Sequence, residues 1–551
     1  MRTLYLVRHG RPEFPDGEKL CIGWTDLPLS EEGRRQMEKL AEQLRGKKID
    51  KIYTSPLRRC VESAGILSEC LSGGSIPVQT IEDLKEINMG DWEGRSFAEI
   101  RERYPEEYAE RGRDMAKFTP PSGESFEDCQ KRALKAFLTI REESRGNVIV
   151  LGHAGVNRTL ISWREKRPLG DLLQLPQEYG SAYAWEEPTF GGLIVAAGLS
   201  SRMGSYKPLL KLGGQTVLRR EIDTLKRGGV TELAIVSGYR AEELMAEAGE
   251  QEICWIHNPA YRETKMFDSV RLGLSHFEGT DLDGIFFLPV DVPLFTQFTM
   301  EYEKYCFGRS DSAVYCPVCE GAAGHPLLIR TSVLPELLAH DGEQGLRGAC
   351  EKLGARLESF EVPDGGSSMD ADRPQEFARL EAFYGARGIP DPETCRRLLR
   401  WFQTPPAVVR HCEATARLAV EIGQACAAQG AKLDIELIRS AALLHDLAKG
   451  QENHAETGAR WLALLGHDKT AEVVADHMRL PEEKSETMNE SLIVYLADKR
   501  TRGEETVTVE ERFAAKIELF QKDPQALQAV LWRLELAKRA EKLVREKGYQ
   551  G

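Results

Sequence analysis

The chain has 551 residues, of which 41% are apolar and 29% are charged. This composition is typical of folded globular protein, and the length exceeds what one hydrophobic core supports, so we expect three domains of ordinary size. The formal net charge of −14 argues against nucleic acid or an anionic membrane as the main partner. Any anionic substrate would therefore need locally placed arginine, lysine, metal or backbone N–H groups.

The N-terminus and the cysteines indicate a cytoplasmic protein. Arg8 interrupts the short apolar start of the chain, so the apolar core of a signal peptide is missing. The longest apolar run, around 285–295, contains an aspartate and two prolines and is too short to span a bilayer. The twelve cysteines are scattered, which favours a reducing compartment, and the CxxC pair of Cys316 and Cys319 has no second pair beside it.

Three successive signals predict two α/β domains followed by a helical domain. Short apolar runs that end in polar turns alternate with helical patterns at the start of the chain and again after Pro188. From about Asp391 the apolar spacing is helical with few strand signals. We therefore predict a multidomain protein with three-layer α/β domains at 1–187 and 190–386 and an all-α domain at 390–551. Short hinges are expected near positions 188 and 388.

Two histidines of the first domain each come directly after a predicted strand. His9 follows the run 4–7, and His153 follows the run 148–151. Side chains at the carboxyl ends of parallel strands face a shared crevice. A phosphoryl group transferred to a neutral imidazole needs cations around its oxygens and an acid for the leaving oxygen. The residues that can meet these needs are Arg8, Arg58 and His153 for the phosphate and Glu86 for the proton.

These residues resemble the pattern of the histidine phosphatase (phosphoglycerate mutase-like) superfamily over roughly 1–187. The stretch CIGWTDLPLS around Trp24 is similar to the phosphatase branch, particularly to α-ribazole phosphatases of cobalamin synthesis. The resemblance implies that His9 forms a phosphohistidine and that Glu86 donates the proton. It assigns phosphate binding to Arg8, Arg58 and His153.

A glycine-rich turn follows the first predicted strand of the second domain. The segment AAGLSSRMGSYKP at 196–208 lets the backbone approach a triphosphate closely, and Arg202 and Lys207 can neutralise its charge. The turn matches neither the Walker loop nor the dinucleotide fingerprint. Asp291 ends an apolar strand and Asp372 lies in the acidic stretch MDADRP, so these carboxylates can hold Mg²⁺ against phosphate oxygens.

Together these features resemble the Rossmann-like nucleotidyltransferases that attach CMP or GMP to molybdopterin. The stretches GHPLL at 324–328 and DGEQGLR at 341–347 are more similar to the cytidylyltransferases, which favours CTP. The residues directly before Lys207 depart from the smaller or proline-containing versions frequent in the family, so base preference stays open. The resemblance implies Mg²⁺ on Asp291 and Asp372. The implied nucleotide-binding residues are Ala197, Gly198, Arg202, Gly204 and Lys207.

Histidines and aspartates recur near the ends of predicted helices in the third domain, among them the adjacent His445-Asp446 pair. A mixed set of nitrogen and oxygen ligands suits Fe, Mn or another transition metal better than a structural zinc. The pattern over about 400–505 resembles the HD phosphohydrolase superfamily, including small bacterial proteins that hydrolyse dinucleoside polyphosphates. His467 fits no ligand position and is expected at the surface. The ligands implied for one or two metals are His411, His445, Asp446, His454, His477 and Asp498.

The leading hypothesis is a multifunctional enzyme with a nucleotidyltransferase similar to CTP:molybdopterin cytidylyltransferases at its centre. A phosphomonoesterase precedes it and a metal-dependent phosphohydrolase comes after it, so small phosphate compounds and an NTP are the expected partners. One alternative is a phosphatase and nucleotidyltransferase of cobalamin or nucleotide-sugar synthesis, which the Trp24 segment favours. Another is a nucleotide-sensing fusion without turnover, although binding alone would not require a nucleophile or metal ligands.

Overall fold

The computed structural model describes residues 2–144, 146–249, 251–451, 453–521 and 523–550. The chain divides into two compact units, Met1–Thr189 and Phe190–Gly551. All twelve cysteines lie in the described ranges, and each is a free thiol. Among the helices of these ranges, none is both long enough and apolar enough to cross a membrane.

The first unit is a three-layer α/β structure, as predicted. Within its described residues, four parallel strands and one antiparallel edge strand form the sheet. Leu4 and Leu6 pack into the apolar cluster on one face, whereas Tyr5 and Val7 pack into the cluster on the other. This division arises because successive side chains of a strand point to opposite faces. The strands are β1 (Arg2–Arg8), β2 (Ile49–Thr54), β3 (Val78–Thr80), β4 (Asn147–Gly152) and β5 (Ala182–Glu187), and the helices are α1 (Glu31–Leu44), α2 (Arg58–Ser72), α3 (Phe97–Arg103), α4 (Pro105–Arg113), α5 (Phe126–Glu143) and α6 (Ala154–Glu165).

The second unit begins with another α/β region, which confirms the prediction of a second α/β domain. In the part that the structure describes, its main sheet has eight strands and separates two apolar clusters, to which Leu193 and Ile194 contribute from opposite faces. The strands are β6 (Phe190–Ala196), β7 (Lys211–Leu212), β8 (Gln215–Thr216), β9 (Glu232–Ser237), β10 (Cys254–His257), β11 (Gly284–Pro289), β12 (Val314–Cys319), β13 (Ala322–Ala323), β14 (Leu327–Arg330) and β15 (Leu357–Glu361), and the helices are α7 (Val217–Arg227), α8 (Ala241–Ala248), α9 (Met266–Ser275), α10 (Gln297–Phe307), α11 (Leu334–Leu338), α12 (Gly345–Lys352) and α13 (Pro374–Arg387).

In each of the two main sheets, the strand order makes two strands that carry candidate site residues parallel neighbours. The first has the order β3-β2-β4-β1-β5, which makes β1 and β4 parallel neighbours. The second has the order β10-β9-β6-β11-β14-β12-β13, with β15 paired to β12 and with β6 and β11 as parallel neighbours. Strands β7 and β8 form a separate short ladder. In both sheets the loops that leave two adjacent parallel strands lie at one edge, where a ligand site is expected.

The remainder of the second unit is helical, which confirms the third prediction. Phe298 of α10 packs into the apolar core of this region, with its ring centroid 5.2 Å from Trp401 and 5.7 Å from Phe402. The sheet region and the helical region therefore share apolar packing within one unit. The elements are α14 (Pro392–Trp401), α15 (Pro406–Ala428), α16 (Ile435–Leu444), α17 (His454–Leu464), α18 (Asp468–Asp476), α19 (Glu482–Ser485), α20 (Glu490–Lys499), α21 (Val509–Leu519) and α22 (Pro524–Glu546), with a two-residue ladder of β16 (Thr501–Arg502) and β17 (Glu505–Thr506).

His467 lies inside this junction, so the expectation of a surface residue is wrong. Its Nδ1 is 2.6 Å from the carbonyl oxygen of Arg387, and burial lowers its pKa to about 4. The guanidinium of Arg387 lies 3.6 Å from the buried carboxylate of Asp364. Asp364 in turn accepts hydrogen bonds from the backbone N–H of Thr296 and the hydroxyl of Thr299. His467 was misplaced because a single histidine without a motif carries no signal of its burial.

Three candidate active sites

The first candidate site lies at the carboxyl ends of β1 and β4. His9 and His153 are both buried, and their rings meet edge to face with centroids 5.0 Å apart. Nδ1 of His9 is 2.6 Å from the carbonyl oxygen of Gly10, and Nε2 of His153 is 2.8 Å from Oγ of Ser55. Because a carbonyl oxygen only accepts, Nδ1 of His9 carries the proton. Its Nε2 is therefore the nitrogen with a free lone pair.

Burial and nearby positive charge keep both histidines neutral. Burial is the largest cause that lowers the pKa of His9 and of His153 well below the ordinary 6.5, and the charge of Arg59 is the next. Arg8 lowers both values further. The guanidinium of Arg8 lies 3.7 Å above the ring of Tyr179. A neutral imidazole surrounded by cations is suited to accept a phosphoryl group, because it has a lone pair and the cations stabilise the phosphate oxygens.

The structure corrects the choice between two adjacent arginines. The side chain of Arg58 is 60% exposed and bonds to Glu62 at 2.7 Å, so it does not join the histidines. Arg59 is buried and donates to the carbonyl oxygens of Gly23 and Thr25, each at 2.7 Å. Successive helical residues point about 100° apart around the axis, so only one of the two faces the crevice. Arg59 was missed because the phase of the helix, which decides between the two, is not visible in the local sequence.

Glu86 is fixed beside the second histidine by the start of α6. Its carboxylate accepts the backbone N–H groups of Gly155 at 3.1 Å and Val156 at 3.2 Å. Arg132 holds the backbone of Glu86, since it donates to the carbonyl oxygen of Glu86 at 2.9 Å and forms an ion pair with Glu124. The carboxylate is thereby oriented toward the end of β4, where His153 begins the turn into α6.

The second candidate site is a cleft of about 380 Å³ at the carboxyl ends of β6 and β11. Nζ of Lys207 lies between two carboxylates, 3.1 Å from Asp291 and 2.9 Å from Asp372. Arg202 binds the other oxygen of Asp372 at 2.8 Å. The cleft is also lined by Ala197 and by Gly198, Ser200 and Ser201 of the turn that comes after β6, whereas the predicted Gly204 is not among the lining residues. The structure thus brings the predicted cations and carboxylates of this domain to one place.

The electrostatics of this cleft suit a divalent cation. Burial raises the pKa of Asp291, whereas the hydrogen bond from Lys207 lowers the pKa of Asp372. The pKa of Lys207 is raised by both carboxylates although burial opposes the shift. Two carboxylates that already face one cation at about 3 Å form a donor set of the kind that Mg²⁺ takes.

The glycine turn is shaped by its backbone. Gly204 has a φ of +72°, a conformation that glycine adopts without strain, and Gly198 has no atoms within 4 Å of where a side chain would begin. The backbone N–H of Lys207 donates to Oγ of Ser200 at 3.1 Å, which closes the turn. The space beside Gly198 is therefore free for a ligand to approach the main chain.

The opposite wall of the cleft was not predicted. It comes from the N-terminal end of α9 and the loop before it, including an exposed Met266. The backbone N–H groups at a helix N-terminus favour anions, so this wall and the cations across the cleft both favour an anionic ligand between them. No motif marks this stretch in the sequence, which is why it was missed. The lining residues concerned are Tyr261, Thr264, Lys265, Met266 and Ser269.

The third candidate site gathers the predicted metal ligands of the helical region around Asp446. One oxygen of Asp446 is 3.1 Å from Nε2 of His454 and 3.5 Å from Nε2 of His477. Its other oxygen is 3.7 Å from Nε2 of His445. Two groups of possible ligand atoms, each within 4.8 Å of one another, share this aspartate. They are His411, His445 and Asp446 in one group and Asp446, His454 and His477 in the other.

Asp498 completes the site from α20. It lies 3.2 Å from Nε2 of His411 and 3.7 Å from Nε2 of His445. Nδ1 of His411 faces the carbonyl oxygen of Gly503 at 3.0 Å, and Nδ1 of His445 faces that of Ala442 at 2.8 Å. Each Nδ1 therefore carries a proton, and each Nε2 faces the site, where a bound metal would take its lone pair.

The donor chemistry of this site fits a divalent metal. Nε2 of His445 is buried and has no hydrogen-bond partner in the described part of the chain. The nearby imidazoles of His454 and His477 hold the pKa of Asp446 far below its ordinary range, although burial opposes the shift. The pKa of Asp498 is likewise lowered, chiefly by Lys499, against the effect of burial. Ionised carboxylates and neutral imidazoles with oriented lone pairs are what a transition metal binds.

Comparison with known families assigns one family to each of the three regions in which these sites lie. Residues 4–192 match the family described as the histidine phosphatase superfamily (branch 1). Residues 192–357 match the MobA-like NTP transferase domain, and residues 408–503 match the HD domain. All three are families of enzymes, and their order along the chain confirms the resemblances predicted from the sequence.

Individual relatives cover the N-terminal part of the chain. A 2,3-bisphosphoglycerate-dependent phosphoglycerate mutase of Parvibaculum lavamentivorans is 30% identical over 196 residues, which are 35% of this chain and 93% of the relative. The 6-phosphofructo-2-kinase/fructose-2,6-bisphosphatase of Gallus gallus is 35% identical over 164 residues, which are 29% of this chain and 32% of the relative. The chain therefore spans about a third of the length of that relative and of similar ones in mouse and rat.

Similar solved structures include Bacillus stearothermophilus YhfR, with 35% identity over 33% of this chain and 90% of that chain, at a TM-score of 0.31. The α-ribazole phosphatase from Shigella flexneri has 26% identity over 33% of this chain and 89% of that chain, also at a TM-score of 0.31. On the near-complete match to the Parvibaculum relative, the chain belongs to the histidine phosphatase superfamily, and a MobA-like NTP transferase domain and an HD domain come after it in the same polypeptide.

Proposed function

We propose that the central domain transfers a nucleotidyl group from an NTP, with CTP favoured, to a terminal phosphate of molybdopterin. The observation that carries this proposal is Lys207 between Asp291 and Asp372 in the cleft beside the glycine turn. The likeness of the stretches GHPLL and DGEQGLR to cytidylyltransferases supports CTP. Mg²⁺ bound by Asp291 and Asp372 would neutralise the triphosphate and align it.

The residues of the chain have defined tasks in this transfer. An oxygen of the acceptor phosphate bonds to the α-phosphorus, the bond to the β-phosphate oxygen breaks, and pyrophosphate leaves with the electron pair. Arg202 and Lys207 neutralise the phosphate charges, and the open backbone beside Gly198 binds phosphate oxygens through N–H groups. Positioning and charge neutralisation supply the catalysis, since no covalent intermediate is needed.

Pyrophosphate release tests the proposal. The protein is incubated with Mg²⁺, molybdopterin and each of CTP, GTP, ATP and UTP in turn, and CTP is expected to give the fastest release. Lys207→Ala should lower the rate by about a hundredfold or more, because it removes a cation at the reacting phosphates. Lys211→Ala, an exposed lysine on β7, is the matched control. Absence of pyrophosphate with every NTP would refute the transfer.

For the first domain we infer a phosphomonoesterase that acts through phosphohistidine on His9. Nε2 of His9 bonds to phosphorus, the ester P–O bond breaks, and Glu86 gives its proton to the leaving oxygen. The oxygen of water then bonds to phosphorus, the P–N bond breaks with its electron pair returning to His9, and the proton of water passes back to Glu86. Arg8, Arg59 and His153 hold the phosphate oxygens. The neutral state of His9 and its oriented Nε2 support these roles.

A substrate of cobalamin synthesis is the second candidate for this domain, because Trp24 flanks the acid. The ring is 43% exposed, its Nε1 donates to the carbonyl oxygen of Glu86 at 2.8 Å, and Nζ of Lys85 lies 5.1 Å from its centre. An exposed aromatic face beside the leaving-group acid suits a planar leaving group such as α-ribazole. Trp24→Ala should raise KM for α-ribazole phosphate about tenfold, whereas Trp24→Phe should not; equal values for both would reject stacking.

In the helical domain we propose a metal-dependent phosphohydrolase with one or two ions such as Fe or Mn. The candidate ligands are the two groups that share Asp446, together with Asp498. The bound metal would supply Lewis-acid activation of phosphorus. The twelve free cysteines support a reducing, cytoplasmic location for all three activities.

A further inference from the structure

A narrow pocket of about 80 Å³ opens beside the third candidate site. Its walls include both carboxylates of that site, Asp446 and Asp498, which places it next to the proposed metal. Five cationic side chains and these two carboxylates line the pocket, which leaves an excess of three positive charges, and the other lining residues are apolar. The cations are Lys449, Lys499, Arg512, Lys516 and Arg533, and the apolar residues are Met478 and Phe513.

Only two of the five cations are neutralised by the site. Lys449 is 2.9 Å from Asp446, and Lys499 binds Asp498 at 2.6 Å. Three others make no ion pair or side-chain hydrogen bond within the described part of the chain. They are Arg512 and Lys516 of α21 and Arg533 of α22.

This grouping is unfavourable without an anion. Arg512 and Lys516 stand one helical turn apart, where like charges destabilise a helix. Partial burial lowers the pKa of Lys516, the charges of Arg512, Lys499 and Arg533 lower it further, and the charge of Asp498 opposes them. Both helices lie beyond residues 408–503, the part that matches the HD domain. The helices α21 and α22 thus bring mutually repelling cations to one pocket, and an anionic ligand that binds there best explains this arrangement.

We propose that α21 and α22 form a phosphate-chain clamp for the HD site. Arg512, Lys516 and Arg533 bind phosphoryl groups next to the one that is cleaved, so the site selects linear phosphoanhydrides over monoesters. A monoester carries at most two negative charges near neutral pH, whereas each added phosphoryl group of a chain brings more charge for the three cations. This inference rests on the proposed phosphohydrolase function of the HD domain.

The clamp takes no covalent part in the hydrolysis. The oxygen of water bonds to one phosphorus, the anhydride bond between that phosphorus and the bridging oxygen breaks, and the departing phosphate keeps the electron pair. The proton of water passes to solvent. Arg512, Lys516 and Arg533 bind the chain and therefore act chiefly on KM, provided that the metal ligands stay intact.

Kinetics of the full-length, metal-loaded protein test the clamp, in a His9→Ala background that silences the phosphatase domain. The substrates are inorganic tripolyphosphate, ATP and glycerol phosphate. Arg512→Gln, Lys516→Gln and Arg533→Gln should each raise KM about tenfold for tripolyphosphate and ATP, because each removes a charge-assisted hydrogen bond. KM for glycerol phosphate and the metal content should change less than about twofold. Arg539→Gln, an exposed arginine of α22, is the matched control.

The outcomes separate the clamp from the activity on which it rests. An unchanged KM for tripolyphosphate in all three variants overturns the clamp, and so does a rise for ATP alone, which would assign the contacts to the nucleoside. No hydrolysis of any substrate by the metal-loaded protein removes the proposed HD activity. In that case calorimetric binding of tripolyphosphate to the Lys207→Ala protein, with and without the three substitutions, decides: weaker binding supports the clamp and equal affinity overturns it.

Discussion

His9 of the first unit and His411 of the helical region have opposite electrical surroundings. Burial and Arg59 lower the pKa of His9, so the imidazole stays neutral among cations. The pKa of His411 is raised by the hydrogen bond and charge of Asp498, although burial opposes the shift. Burial lowers the pKa of both rings and acts more strongly on His9, whereas neighbouring charge shifts the two pKa values in opposite directions. A histidine beside arginines suits an incoming phosphate, whereas a histidine beside carboxylates suits a cation.

The two rings are nevertheless held in the same way. His9 and His411 both direct Nδ1 to a backbone carbonyl oxygen, of Gly10 and Gly503 respectively, and both leave Nε2 to the site. The same orienting device can therefore prepare a nucleophile or a metal ligand. The chemistry of each site depends on the partners of Nε2 and not on the histidine itself.

The largest effect is expected from removal of His9, the proposed nucleophile among the cations of the first unit. His9→Ala should reduce hydrolysis of p-nitrophenyl phosphate, measured with EDTA so that the proposed metal-dependent site is inactive, by about a thousandfold or more, because the remaining cations bind phosphate without accepting it. Metal content should equal that of the unaltered protein, since the proposed ligands lie in the other unit. A rate equal to that of the unaltered chain would show that His9 is not the nucleophile.

Removal of His445, a buried candidate ligand, tests whether the histidines beside carboxylates bind a metal. His445→Ala should lower the bound metal, measured by elemental analysis after purification, about tenfold or more, because Nε2 of His445 faces both Asp446 and Asp498. His467→Asn is a matched control, since this histidine is equally enclosed but bonds to the carbonyl oxygen of Arg387. Equal metal in both variants would contradict the assignment of His445 as a ligand.

Much of this organisation could be predicted from the sequence. The strand runs that end in His9, His153 and Asp291 placed these residues at sheet edges, because strand periodicity and a polar turn after it are local signals. The family resemblances were also local and proved correct for all three domains. Features set by side-chain direction were not accessible, as the choice between Arg58 and Arg59 illustrates.

Contacts between distant segments were equally hidden. The wall of the central cleft around Lys265 and the cations of α21 and α22 reach their sites only through tertiary packing. In the sequence the cations of α21 and α22 look like ordinary charged positions of amphipathic helices. A cation that faces solvent and a cation that binds a ligand produce the same sequence pattern.

Arg58 and Arg59 are adjacent in sequence but differ in burial, so substitution of each tests whether a buried cation is what the histidines of the first unit require. Arg59→Gln should lower kcat/KM for p-nitrophenyl phosphate about a hundredfold, because a buried cation near both histidines stabilises phosphate charge. Arg58→Gln should change it less than about threefold, since its exposed pair with Glu62 contributes little. Circular dichroism and thermal unfolding serve as folding controls. Equal losses in the two variants would remove the distinction between the arginines.

The smallest expected effect is a shift in pH dependence. His9 must be neutral to attack, and its pKa lies below the ordinary 6.5, so the acid limb of kcat/KM should also lie below 6.5. Positive charge disfavours the imidazolium, so loss of the Arg59 charge raises the pKa of His9. The acid limb of Arg59→Gln should therefore move to higher pH, while that of Arg58→Gln stays in place. A limb that stays fixed in Arg59→Gln would show that burial and Arg8 suffice to keep His9 neutral. The contrast with the carboxylate-lined histidines would then lie in metal binding and not in the charge of Arg59.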